Sequence, residues 1–133
     1  MELKVATGVV IENDKGEVLL IQKSRGPYIG YWVIPGGRIN PGEKSENCAV
    51  REVKEETGLD IEIVKNLGFE EDITEINGKL THLILPQFYA KFKGGKLKAS
   101  DDAKDAKWFR KEELKKLKLL PTMEGVYKKL GWL

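Results

Sequence analysis

Apolar positions along the chain follow two different periods. Leu3 to Ile11 is rich in Val and other strand formers, and Glu17 to Gln22 repeats that character, so both read as strands. Between them, Asn13-Asp14-Lys15-Gly16 is turn chemistry, because Asn, Asp and Gly tolerate left-handed backbone angles. The pair therefore predicts a hairpin. Lys23 to Gly30 is a loop with Gly, Pro and two cations, and Tyr31 to Ile34 is a short strand running into Pro35-Gly36-Gly37. The period then changes. Ala49, Val50, Val53 and Thr57 recur at helical spacing and predict a face that packs on a sheet. Ser45 suits the N-cap of that helix, Glu46 its positive end and Gly58 its left-handed stop.

Strand patterning resumes after the helix. Leu59 to Phe69 alternates through Ile61 and Ile63, and Glu70 to Ile76 is an acidic strand or loop. Asn77-Gly78 predicts a tight hairpin turn into Lys79 to Phe92. Pro86 within that last run predicts a bulge or a sheet edge, since it cannot donate to a ladder. Gly94-Gly95 is a turn and Lys98 to Lys104 a polar loop. Ala106 to Phe109 is a short strand, Lys111 to Leu117 a short helix, and Met123 to Leu130 a last helix after Pro121. Strands on both sides of the central helix predict an α/β fold in which helices cover a mixed sheet on two faces.

Composition narrows the function classes. A chain of 133 residues with 41% apolar and 33% charged residues fits one globular domain over residues 1–133. Its net charge of +2 gives no electrostatic case for binding nucleic acid, and the C-terminal lysines, interspersed with Glu112, Glu113 and Glu124, read as a solvated face. No run approaches the length of a membrane span, and the lone Cys48 cannot form an internal disulfide. The expectation is a cytoplasmic protein that binds neither membrane nor nucleic acid.

The predicted helix also carries Glu52, Glu55 and Glu56 at helical spacing, on a face taken to be separate from the buried one. Three carboxylates that close repel one another unless a cation lies between them or one stays protonated. Hard oxygen ligands select Mg²⁺ or Mn²⁺, and Mg²⁺ completes its shell with waters and substrate phosphates. Gly36 and Gly37 let backbone groups approach a ligand, and Arg51 is positioned to brace a carboxylate or Glu43.

Gly37, Glu43, Arg51, Glu52, Val53, Glu55, Glu56, Gly58 and Leu59 together form G-x5-E-x7-R-E-U-x-E-E-x-G-U, with U apolar. This pattern resembles the Nudix hydrolase family (MutT-like), without a gap or a substitution. The resemblance implies an α/β/α sandwich around a mixed central sheet. It also implies divalent-metal-dependent hydrolysis of a pyrophosphate bond in a nucleoside diphosphate linked to another moiety. By the same resemblance Glu52, Glu55 and Glu56 are metal ligands, with the Gly36 carbonyl as a further one, and Arg51 and Glu43 position the helix. Glu52 is the first candidate for general base, followed by Asp102 or Asp101. Arg25, Gly37, Arg38 and Asp102 are candidates for substrate binding. Tyr28, Tyr31, Trp32 and Tyr89 are candidates for stacking on a base, with Trp32 read as core. His82, Cys48, Trp108 and Phe109 read as packing residues.

The substrate is less defined. Family markers for ADP-ribose hydrolases (a proline) and dinucleoside polyphosphate hydrolases (a tyrosine) are missing from Ile73-Thr74-Glu75 and Ile76-Asn77-Gly78. The short chain favours a nucleoside triphosphate pyrophosphohydrolase, with an ADP-ribose or nucleotide-sugar pyrophosphatase as the alternative. A non-catalytic nucleotide-binding module is the rival of another class, although it predicts a missing glutamate and none is missing. A homodimer is possible by the same resemblance.

Overall fold

The computed structural model describes residues 2–24, 28–98 and 103–133. The strands are β1 (Glu2–Val5), β2 (Gly8–Glu12), β3 (Glu17–Lys23), β4 (Trp32–Val33), β5 (Leu59–Ile76), β6 (Lys79–Gly95) and β7 (Ala103–Arg110). The helices are α1 (Ser45–Thr57) and α2 (Pro121–Lys129), with a 3-10 turn at Lys111–Lys116. The seven strands form one mixed sheet: β1 and β2 run parallel to β6, while β5/β6, β2/β3, β3/β4 and β3/β7 are antiparallel.

Each face of the sheet carries its own core. Val9, Ile11, Leu19, Phe88 and Ala90 pack under Ala49 and Val53 of α1. Their alternates Val10, Val18 and Leu20 pack with Leu114, Met123, Val126 and Tyr127 beneath α2. The period-2 alternation of strand side chains produces this division, and the result is the α/β/α sandwich that the patterning implies. Among the described residues no helix is long and apolar enough to cross a membrane.

Several boundaries differ from those the patterning predicts. The Val-rich stretch Leu3 to Ile11 is two strands, interrupted at Ala6-Thr7. One register runs through both, with Val5 opposite Ile84 and Gly8 opposite Gln87, so Thr7 falls beside Pro86. Pro86 sits in β6, a strand paired on both sides, and not at an edge. Its missing N–H is accommodated because the β1/β2 break flanks it on one side and β5 bulges on the other, between Asn66 and Phe69. The acidic stretch Glu70 to Ile76 is the second half of one long strand, and Gly94-Gly95 ends β6 opposite Leu59 and Asp60 instead of turning. Lys111–Lys116 is a 3-10 turn and α2 begins at Pro121, whose fixed φ suits the first helical turn. The Asn77-Gly78 turn forms as expected, with φ of 53° and 76°, the double left-handed geometry of a type I′ hairpin.

In α1 the limits Ser45 to Thr57 match, but the N-cap is Lys44 and Ser45 is already helical, with no capping side chain. Val50 is 40% exposed, and Cys48 takes its expected place in the buried stripe with Ala49, Val53 and Thr57. His82 is not enclosed either. It lies half-buried, with Nε2 2.7 Å from Glu71 Oε2. Trp32 is half-buried, edge-on to Phe109 at 5.0 Å, while Phe109 is buried.

Gly58 closes α1 with φ 79°, and a Cβ there would stand 2.5 Å from the Lys96 carbonyl oxygen. Gly58→Ala is therefore expected to lower unfolding stability by at least about 1 kcal/mol, measured by urea denaturation, although Ala is the better helix former.

Candidate active site

The loop after β4 is pinned to the break between β1 and β2. The Thr7 amide donates to the Gly37 carbonyl at 2.8 Å and the Val9 amide to the Pro35 carbonyl at 2.8 Å. A Cβ on Gly36 would overlap the Thr7 carbonyl, so only glycine allows the chain this close. The opposite side of the loop meets α1. A Cβ on Gly37 would overlap the carboxylate of Glu52. The Gly36 amide donates to Glu56 Oε1 at 3.1 Å, and Cys48 Sγ donates to the Gly37 and Arg38 carbonyls at 3.5 and 3.4 Å.

The acids do not occupy a face separate from the buried stripe. At about 100° per residue, Glu56, seven positions after Ala49, returns to nearly the same line on the helix. Glu52 and Glu56 are accordingly half-buried against the glycine loop, whereas Glu55 is exposed. Arg51 ties the group together. Its Nε and Nη2 donate to the two oxygens of Glu43 at 2.7 and 2.9 Å, a bidentate pair. Its Nη1 donates to Glu52 Oε1 at 2.8 Å and to Glu55 Oε2 at 3.2 Å, and Nη2 also reaches the Arg38 carbonyl at 3.2 Å.

These contacts set the protonation properties. Arg51, followed by the Asn40 amide, lowers the Glu43 pKa to about 2. Burial pushes the Glu52 carboxyl up, against the pull of Arg51. Among the described residues no three His, Cys, Asp or Glu side chains stand close enough to chelate one ion as placed. Arg51 Nη1 is shared by Glu52 and Glu55, and Glu56 is turned to the Gly36 amide. The donor chemistry nevertheless suits a hard divalent cation, because Glu52 and Glu56 reach the Gly36-Gly37 loop and Glu55 shares Arg51 with Glu52 on the same helix.

The other sequence candidates are placed as follows. Arg38 turns its side chain away from the acids, donating to Glu2 Oε1 at 3.1 Å. Arg25, Asp101 and Asp102 lie outside the described residues. Tyr89 is half-buried and donates to Glu12, and burial followed by that hydrogen bond pushes its hydroxyl up to about 12. Tyr28 and Tyr31 pair edge-to-face at 5.3 Å.

Two cavities meet at the end of β3. One of about 360 Å³ is lined by Thr7, Gly8, Ile34, Gly36, Gly37 and Glu56. A second, of about 580 Å³, lies between the β5–β6 hairpin and the start of α2. Lys23, at the end of β3, lines both. Sequence patterning singles out Arg25 in that loop and passes over Lys23, because only the tertiary fold brings it beside Glu56.

Comparison with known proteins places this arrangement. The NUDIX domain profile matches residues 2–130. The chain belongs to the Nudix hydrolase family. Members of this family act on pyrophosphate bonds of nucleotide compounds and generally use divalent metals. The chain is 40% identical over 114 residues to an ADP-ribose pyrophosphatase of Methanocaldococcus jannaschii, covering 85% of this chain and 65% of that protein. It is 40% identical over 94 residues to an 8-oxo-dGDP phosphatase of Mus musculus, covering 71% of this chain and 27% of that protein. The chain thus spans less than two thirds of these Nudix relatives. Among solved structures it resembles a MutT NUDIX hydrolase from Burkholderia pseudomallei, with a TM-score of 0.78, 27% identity and coverage of 100% and 99% of the two chains.

A carboxylate held low in the folded state contributes stability above its unfolded pKa, about 4.3 for Glu. That contribution of Glu43 is lost as pH falls through about 2. In chelator, the thermal midpoint is expected to drop between pH 4 and pH 2, and to drop less in Glu43→Gln. Equal slopes in the two proteins would show that the Glu43–Arg51 pair does not stabilise the fold.

Proposed function

We propose that this Nudix domain hydrolyses a pyrophosphate bond in a nucleoside diphosphate linked to another moiety, with a nucleoside triphosphate as substrate. The supporting observation is that Glu52 and Glu56 meet the Gly36-Gly37 loop, with Glu55 beside them on Arg51, next to a cavity that shares Lys23 with a larger one. Mg²⁺ or Mn²⁺ would be held by the three carboxylates, with the Gly36 carbonyl as a further ligand. Such an ion, when bound, polarises phosphoryl oxygens and lowers the pKa of a ligated water.

The chain's own groups divide the remaining work. Glu52, whose carboxyl burial pushes up, accepts the proton of the attacking water, since a raised pKa suits a general base. The water oxygen bonds to one phosphorus as the bridging oxygen leaves with the other phosphoryl group. Lys23 supplies a positive charge beside that path, and Arg51 and Glu43 fix the helix that carries the acids. An ADP-ribose substrate is the second reading. It is favoured by the 40% identity to an archaeal protein of that activity.

Hydrolysis is expected with Mg²⁺ or Mn²⁺ and not in EDTA. Glu56→Gln is expected to lower turnover at least about 10²-fold, comparable to losing one electrostatic group in an active site. Full activity in EDTA would refute the metal assignment. A panel of nucleoside triphosphates, ADP-ribose and nucleotide sugars separates the two readings, and a chain that binds but cleaves none of them would be a binding module.

A further inference from the structure

The β5–β6 hairpin is longer than the helix that covers it. The 13 residues of α1 rise about 20 Å. Strands β5 and β6, of 18 and 17 residues, extend over about 50 Å. α1 therefore covers only one end of its face of the sheet, over Val9, Ile11, Phe88 and Ala90. Beyond the β1/β2 break, β1, the first half of β6 and the second half of β5 continue the same face.

The register shows which side chains share that surface. Leu3 and Ile73 flank His82 in one row, and Val5 and Glu71 flank Ile84 in the next. Phe69 lies opposite Pro86, and Leu80 opposite Glu75. Because side chains alternate along a strand, the intervening Lys4, Asp72, Thr81 and Leu83 point to the other face, where they line the larger cavity. Leu3, Phe69 and Ile73 are each more than half exposed, and Val5 and Leu80 about two-fifths. These five make up half of the large apolar side chains exposed among the described residues, and they lie on one face. Single exposed apolar residues are ordinary, whereas a contiguous group marks a surface that something covers.

The size of the patch suits a second copy of the chain. Its five side chains expose on the order of 500 Å², towards the upper end for the largest patch of a monomer. A homodimer interface of standard size takes about 800 Å² from each partner, about 65% of it apolar. Two sheets can also pack face to face with their strands nearly aligned.

Charge selects the arrangement. Glu71 and Glu75 stand on the β5 side of the patch, with His82 Nε2 2.7 Å from Glu71 Oε2. At the β1 side, Lys4, Lys79 and Arg38 all pair with Glu2, which leaves that edge positive. A two-fold axis across the strands would set β5 on β5, acid against acid. An axis along β6 sets β5 of one copy over β1 of the other, and turns the acids towards the positive edge.

We infer that this open sheet face is the interface of an isologous homodimer, with its two-fold axis along β6 and Leu3 of each copy against Ile73 of the other. The larger cavity, on the opposite face of the same strands, stays open in such a dimer.

Sedimentation equilibrium in EDTA tests the interface independently of any reaction. The wild type is expected to dimerise with a Kd of about 1 μM or tighter. Leu3→Lys and Ile73→Asp each place an unpaired charge in the interface and are expected to weaken it about 10²-fold or more. Both side chains are exposed in the single chain, so both variants are expected to fold. A mixture of the two sets the introduced lysine of one copy against the introduced aspartate of the other and keeps one Leu3–Ile73 contact. That mixture is expected to dimerise within about 10-fold of wild-type strength. A wild type that stays monomeric up to about 1 mM would overturn the inference and leave the face to another chain or to none. A dimer that both single variants leave intact would overturn it by placing the interface elsewhere. A mixture that stays monomeric would overturn the pairing of β1 with β5.

Discussion

The carboxylate of Glu52 lies against the bare Cα of Gly37, and the rest of the site depends on that contact. Any side chain at position 37 would occupy the same space. The loop must therefore be glycine where it meets the helix, and it must be held still, because a mobile loop would not keep the carboxylate in one place. The hold comes from the opposite direction, through the Thr7 and Val9 amides. Those amides lie on the edge that faces away from β6, whereas the Ala6 amide donates towards β6, to the Ile84 carbonyl. The outer edge of Thr7 to Val9 thus supplies the hydrogen bonds that position a loop 26 to 30 residues later in the chain.

Electrostatics explains why the acids remain compatible with folding before any ligand arrives. Glu43, Glu52 and Glu55 all hydrogen-bond to Arg51, so the guanidinium occupies part of the position a cation would take. Removing Arg51 would leave a half-buried Glu52 carboxylate facing its neighbours, at the desolvation cost that already pushes its pKa up. The bidentate geometry also matters, because a lysine could not serve two oxygens of Glu43 and two further carboxylates at once.

Patterning made the limits of α1, the Asn77-Gly78 turn and the acid group legible, because each is a local property of a few adjacent residues. Residues whose state is set by distant neighbours were less legible. Val-rich residues on both sides of Ala6-Thr7 hide the break, which falls where Thr7 meets the Gly37 carbonyl and lies beside Pro86. Val50 has the right spacing for the buried stripe, yet it is 40% exposed, while Cys48 packs beneath the loop. Placing Glu52 and Glu56 on a separate face followed from spacing among the acids alone; measured against Ala49, the same helical geometry puts them at the edge of the core. Lys23 could not be singled out because its neighbours, Glu56 and Tyr28, come from other elements.

The division of the sheet into two faces separates the acid-bearing helix from the larger cavity. The acids arrive on α1, over one face, whereas Asp72, Thr74 and Leu83 line a cavity on the other. The two meet only at the β1/β2 break, where Gly8, Leu85 and Glu56 line one small cavity. Strand positions on the β5–β6 hairpin and residues at the start of α2 can therefore vary without touching the helix that carries the carboxylates. A close fit between Gly37 and Glu52 constrains the chemistry tightly, while the far cavity is free to change its walls. No side chain of α1 other than Glu56 lines either cavity, so a change in the cavity walls leaves the rest of the acid-bearing helix untouched.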